Sequence, residues 1–169
     1  VDDKRYRVLR GRHPARPSTD ATAVDAFSRV APALVGRQRH KDTVLAPGAH
    51  EGQWKLCLDL AHAVLFDHPG DHVPLMALLE GFRQLGHLTS CDPAGNPRKL
   101  VELGVGFRAF AELDAPIQLS LDASGPTAGD APMALTMEAS QDGRSLARCE
   151  TTWALAPARP TRLPERIPA

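Results

Sequence analysis

Four polar residues, Glu80, Arg83, Gln84 and His87, recur at i, i+3, i+4 and i+7 in an otherwise apolar stretch. On a helix that spacing makes one stripe. Charge on a buried helix is costly unless it is paired or used. The stripe therefore has two readings. It is an internal Glu80–Arg83 ion pair or exposed helix edge, or it is a site in which a carboxylate and a guanidinium face a substrate channel. His68 and His72 enter just before this stretch, near the positive end of the helix dipole.

Other chemistry is less well supported. His62, His68 and His72 with Asp67 and Asp71 offer donors that suit zinc or iron, but their spacing follows no standard ligand pattern. No metal and no cofactor is expected. Cys57, Cys91 and Cys149 are odd in number and contain no CxxC pair, which fits free thiols in a reducing cytoplasm. Cys91 is the one expected to be exposed. Trp54 and Trp153 are in apolar phase with their strands and are expected as core or dimer contacts. Gly104-Val-Gly106 imitates a dinucleotide loop but lies in a strand pattern with no helix after it.

The elements that must position the stripe follow from periodicity. Apolar residues keep helical spacing across Val73–Leu88, with Pro74 in the first turn, and they wrap so much of the helix that it should be largely buried. The segment SCDPAGNP then breaks it. Beyond it, apolar residues fall on every odd position from Val101 to Leu113, on Ile117, Leu119 and Leu121, on Met133, Leu135 and Met137, and on Cys149 to Leu155 beyond the Asp142-Gly143 turn. Before the helix, Trp54, Leu56, Leu58 and Leu60 alternate, and Thr43–Ala46 is a short candidate strand. The order is strand, strand, helix, four strands. One hydrophobic helix with too few helical partners must be covered by the sheet. The expected class is α+β, a hotdog fold with a central helix wrapped by a curved antiparallel sheet.

The 169 residues are 43% apolar and 24% charged, enough for one domain. Lys+Arg and Asp+Glu balance at 20 each, which argues against a general nucleic-acid binder. No run is long enough for a membrane helix, and no signal peptide opens the chain; a cytoplasmic location is expected. Residues 1–20 read as a basic arm, 21–156 as the domain and 157–169 as a Pro/Arg-rich tail. The arms are either solvated or a basic surface for an acidic partner.

The stretch DHPGDHVPLMALLEGFRQ, residues 67–84, resembles the A-factor-synthase (AfsA-like) hotdog family of γ-butyrolactone signal biosynthesis, and within it the second hotdog repeat. His40-Lys41 with Thr43-Val44-Leu45 fits that family's opening, Glu112-Leu113-Asp114-Ala115-Pro116 its ELDAP segment, and Gln141-Asp142-Gly143 its Q-x-G turn. A more distant resemblance is to β-hydroxyacyl carrier-protein dehydratases. Two departures stand out: one repeat instead of two, and Leu75 where the family has the Gly that lets a thioester carbonyl approach the helix. The resemblance implies an enzyme acting on thioesters of acyl carrier protein or coenzyme A. It would transfer a β-ketoacyl group to a small hydroxylated acceptor such as dihydroxyacetone phosphate. Glu80 would be the general base, Arg83 the group holding a phosphate or oxyanion, and His68 an orienting or protonating group. His72, Gln84 and Leu75 would contact substrate. Alternatives are dehydration, conjugate addition, cyclisation or hydrolysis on the same scaffold, or a non-catalytic acyl- or partner-binding module. An unpaired sheet edge implies a homodimer.

Overall fold

The computed structural model describes residues 28–67, 70–91, 96–124 and 131–155. The arm expected at 1–20, the tail at 157–169 and His68 lie outside the described residues. Strands β1 (Leu45–Pro47) and β2 (Gln53–Leu56) precede one helix, α1 (Leu75–Thr89). Strands β3 (Arg98–Phe107), β4 (Gln118–Ser124), β5 (Met133–Gln141) and β6 (Arg144–Leu155) follow it. The strand order is β1-β2-β4-β5-β6-β3, with every pair antiparallel. This is the element order expected from the periodicity, and it is the hotdog arrangement.

Alternation builds the face that the sheet turns to the helix. Along β5, Met133, Leu135, Met137, Ala139 and Gln141 are all buried, and the residues between them are not. The β5–β6 hairpin closes through Asp142 at φ 50° and Gly143 at φ 75°, the left-handed pair that a tight hairpin turn needs. Phe82 and Leu85 of α1 are fully buried in one cluster with Leu119, Met137 and Leu146 of the sheet. Two glycines let the helix come this close. A Cβ on Gly81 would lie 2.6 Å from Leu56 Cδ1, and one on Gly86 would lie 2.8 Å from Trp153 Cε2.

Three details differ from the sequence reading. The odd-position run from Val101 to Leu113 is not one inward-facing strand. β3 ends at Phe107, and a bulge between Leu100 and Glu102 turns Val101 out to 61% exposure; a bulge inserts a residue and so shifts the phase of alternation. The segment after Phe107 runs back as a loop, held by hydrogen bonds from the Arg108 and Ala109 N–H groups to Leu146 O at 2.8 and 3.3 Å. Secondly, α1 starts at Leu75, and Pro74 is its extended N-cap at ψ 143°. Its first turn is only half buried: Leu75 and Met76 project outward, whereas Ala77 and Leu78 are in the core. Thirdly, the expected strand through Leu60 stops at Leu56, and Leu60 is exposed.

Candidate active site

The stripe on α1 condenses around Glu80. Arg83, one turn on, donates Nε to Glu80 Oε2 at 2.8 Å and Nη2 to Oε1 at 2.9 Å. Arg37, from the chain before β1, donates Nε to Oε1 at 2.8 Å, with Nη2 lying 2.6 Å from Oε2. Gln84 Nε2 adds a bond to Oε1 at 2.6 Å. The carboxylate is thus clamped between two planar guanidinium forks, with its side chain only 10% exposed. Burial alone would push its carboxyl up, but the hydrogen bonds from Arg83, Arg37 and Gln84 and the charge of Arg83 outweigh it and hold it below the ordinary value.

Arg83 and Gln84 also hydrogen-bond to backbone. Arg83 Nη2 also donates to Val35 O at 2.9 Å. Gln84 is fully buried; its Nε2 donates to Asp42 O at 2.8 Å and its Oε1 accepts the Val44 N–H at 2.9 Å. The clamp therefore fastens the helix to the segment leading into β1. His87, the fourth member of the stripe, stands apart. Its ring lies against Trp153, centroids 6.2 Å apart, and burial, then the charge of Arg83, lower its pKa.

The cavity lies on a different side of the helix. A cavity of about 240 Å³ opens at the start of α1, lined by His72, Leu75, Leu78, Phe107, Arg108 and Phe110 among others. At about 100° per residue, Leu75 and Leu78 point away from the side that carries Glu80 and Gln84. Of the residues singled out in the sequence, the structure brings His72 and Leu75 together at this cavity. Glu80, Arg83 and Gln84 do not line it. Leu75, where the resemblance expects Gly, is half-exposed at the mouth.

His72 is held in two ways. Its ring centroid is 4.7 Å from that of Phe110, tilted 57°, and its Nδ1 is 2.8 Å from Asp71 Oδ1. The backbone beside it is pinned by the Val73 N–H to Ala111 O bond at 2.8 Å. Arg108 brings a cation to the cavity, its Nη1 donating to Ser145 Oγ at 3.3 Å. Sequence reasoning missed Arg37, Arg108 and Phe110. Arg37 sits in an irregular stretch between two short 3₁₀ turns, with no periodicity, and the other two lie where alternation suggests a strand and the chain forms a loop.

No group of three or more His, Cys, Asp or Glu side chains placed to hold a metal ion occurs among the described residues. His62 instead bridges locally: its Nδ1 accepts the Leu65 N–H at 3.2 Å, so Nε2 carries the proton toward Asp42 Oδ1 at 3.3 Å.

The segments that carry the family resemblance contact one another. The HK…VL opening meets the RQ pair through the bond between Val44 N–H and Gln84. The Q-x-G turn meets the ELDAP segment through Gln141, whose Oε1 accepts the Glu112 N–H at 2.9 Å and whose Nε2 donates to Glu112 O at 2.8 Å and Ala115 O at 2.7 Å. Residues 19–157 match the family model of the A-factor biosynthesis hotdog domain. A 2-oxo-3-(phosphooxy)propyl 3-oxoalkanoate synthase of Streptomyces coelicolor is 35% identical over 127 residues, 73% of this chain and 38% of that protein. The enzyme of the same name from Streptomyces virginiae is 35% identical over 145 residues, 85% of this chain and 46% of that protein. The chain spans less than half the length of these curated relatives. Among solved structures, a hot-dog-like protein from Thermanaerovibrio acidaminovorans superposes with a TM-score of 0.52 at 16% identity, over 63% of this chain and 80% of that one; this likeness concerns the fold. The chain belongs to the A-factor biosynthesis hotdog domain family.

Proposed function

We propose that the chain is an acyl-thioester-processing domain whose acyl group lies in the cavity at the start of α1. The observation that carries this is the cavity's character: aliphatic and aromatic side chains with, among the described residues, two polar groups, His72 and Arg108, at one place. Its volume falls below the roughly 300–1,000 Å³ of sites that swallow a whole drug-sized ligand. It suits an acyl chain whose carrier, acyl carrier protein or coenzyme A, stays outside. The matched relatives are named for joining a 3-oxoalkanoate to a phosphorylated three-carbon hydroxy compound. The reaction proposed here is the same class: transfer of a β-ketoacyl group to a small hydroxylated acceptor such as dihydroxyacetone phosphate. Arg108, the guanidinium at the cavity, takes the anion-holding role that the resemblance gave to Arg83. Arg83 and Gln84 fasten the helix to the β1 lead-in.

The proposal includes a homodimer. Among the described residues β3 ends the sheet, pairs with β6 alone and exposes Val101 and Phe107; an open, apolar edge of this length calls for a partner. Light scattering at micromolar concentration is expected to give twice the mass of the chain.

The test is incubation with 3-oxohexanoyl coenzyme A, or the same acyl group on a carrier protein, plus dihydroxyacetone phosphate, followed by mass spectrometry. Appearance of the phosphorylated ester supports transfer. Free acid or an enoyl product shifts the reading to hydrolysis or dehydration on the same scaffold. One observation favours a second reading, a non-catalytic acyl-binding module: the conspicuous helix carboxylate, Glu80, is already saturated by its own chain. Tight thioester binding with no product would establish that reading.

A further inference from the structure

The cavity at the start of α1 needs a group that can move a proton, and Glu80 neither lines it nor has a free oxygen. We infer that His72, oriented by Asp71, is the proton-transfer residue of this site; the inference rests on the thioester reading above.

A carboxylate only accepts hydrogen bonds. The 2.8 Å contact between Asp71 Oδ1 and His72 Nδ1 therefore fixes the proton on Nδ1 and leaves the Nε2 lone pair as the base. The tilted contact with Phe110 fixes the ring, and the Val73 N–H bond to Ala111 O fixes the backbone next to it. The imidazole is thus held by a side chain, a ring and a strap of backbone, while remaining one of the walls of the cavity. A base held in place by a third group is the arrangement that activates a weak nucleophile. Arg108 lines the same cavity and places a positive charge near any oxyanion or phosphate bound there.

The step balances without an outside reagent. His72 Nε2 takes the proton of the acceptor hydroxyl as its oxygen attacks the thioester carbonyl carbon. The C–O bond forms and the carbonyl becomes a tetrahedral oxyanion. The oxyanion collapses, the C–S bond breaks, and the departing thiolate takes the proton back from His72. The products are an ester and a free thiol. Asp71 stays ionised and acts as a positioning residue.

The test uses the full chain with 3-oxohexanoyl coenzyme A and dihydroxyacetone phosphate. Ester formation by the wild type is expected, with His72→Ala lowering kcat by about 100-fold or more while KM for the thioester stays near its original value. Added imidazole should restore part of the lost rate in His72→Ala, which a purely structural role would not permit. Asp71→Asn should lower kcat more than it moves KM, because the amide no longer enforces the tautomer. If His72→Ala melts early, His72→Gln carries the test: folded and inactive supports the assignment, folded and fully active overturns it. His72→Ala at the wild-type rate overturns the assignment and leaves the thioester reading standing. A wild-type chain that makes no product from the thioester overturns the thioester reading, and the assignment with it.

Discussion

Arg37 and Glu80, 43 positions apart in the chain, meet through a two-point fork, Nε to Oε1 at 2.8 Å and Nη2 to Oε2 at 2.6 Å. This contact ties the irregular segment before β1 to the central helix, alongside the bonds of Arg83 to Val35 and of Gln84 to Asp42 and Val44. It also accounts for a charged stripe on a helix whose other faces are apolar. The carboxylate accepts hydrogen bonds from two guanidinium groups and an amide.

Glu80→Gln should therefore destabilise the domain before it does anything else. Removing one partner of a buried pair costs on the order of 3 kcal/mol, because the remaining charges are left uncompensated. For a domain of this size that lowers Tm by roughly 10 °C. Thermal denaturation followed by circular dichroism reads the change directly, and an unchanged Tm would mean that the clamp contributes nothing to the fold.

The same clamp sets an acid limit. The Glu80 carboxyl is held below its ordinary value of 4.5, so the unfolded chain binds the proton more readily and stability rises with pH across this range. The contribution is complete above pH 4.5 and is lost as pH falls through the lower folded value. Urea midpoints measured through this window should drop in the wild type. Glu80→Gln should lack that component of the drop.

Arg83 discriminates between a clamp and a ligand grip. Arg83→Lys keeps one charge but cannot make the fork to Glu80 together with the bond to Val35 O. A loss of about 1 kcal/mol is expected for Lys and a larger one for Ala, with KM for acceptor unmoved in both. A stable Arg83→Lys with a raised acceptor KM would return Arg83 to the substrate.

Gly86→Ala should be harmful although alanine favours helix over glycine by about 1 kcal/mol. The new methyl would press on the buried Trp153 ring, and overpacking typically costs about 1–3 kcal/mol. A rise in Tm would show that α1 does not pack on Trp153 as described.

The thiols offer a check on the fold that needs no substitution. Cys91 is exposed, whereas Cys57 and Cys149 are buried, and burial, then the charge of Glu150, push the Cys149 thiol up to about 11. One thiol should react quickly with a colorimetric disulfide reagent, and the other two only on unfolding.

Much of this was legible in the sequence. Helix and strands were readable because Phe82, Leu85, Leu119, Met137 and Trp153 sit at regular intervals on faces that are in fact buried. The bulge after Leu100 was not readable: local alternation continues through Val101 while the pairing slips by one residue. Nor did spacing reveal that Glu80 and His72 occupy separate environments. Glu80's partner Arg37 comes from a distant segment, and the cavity beside His72 is completed by Phe107 to Phe110, where the chain leaves the sheet. Long-range contacts of that kind carry no period.

The most direct measurement is a crystal structure with a non-hydrolysable thioether analogue of 3-oxohexanoyl coenzyme A. The acyl chain is expected between Leu75, Leu78 and Phe107, with its carbonyl near His72 and Arg108 and the Glu80 clamp intact. An acyl chain lying along Glu80 and Arg83, with the clamp opened to receive it, would contradict it.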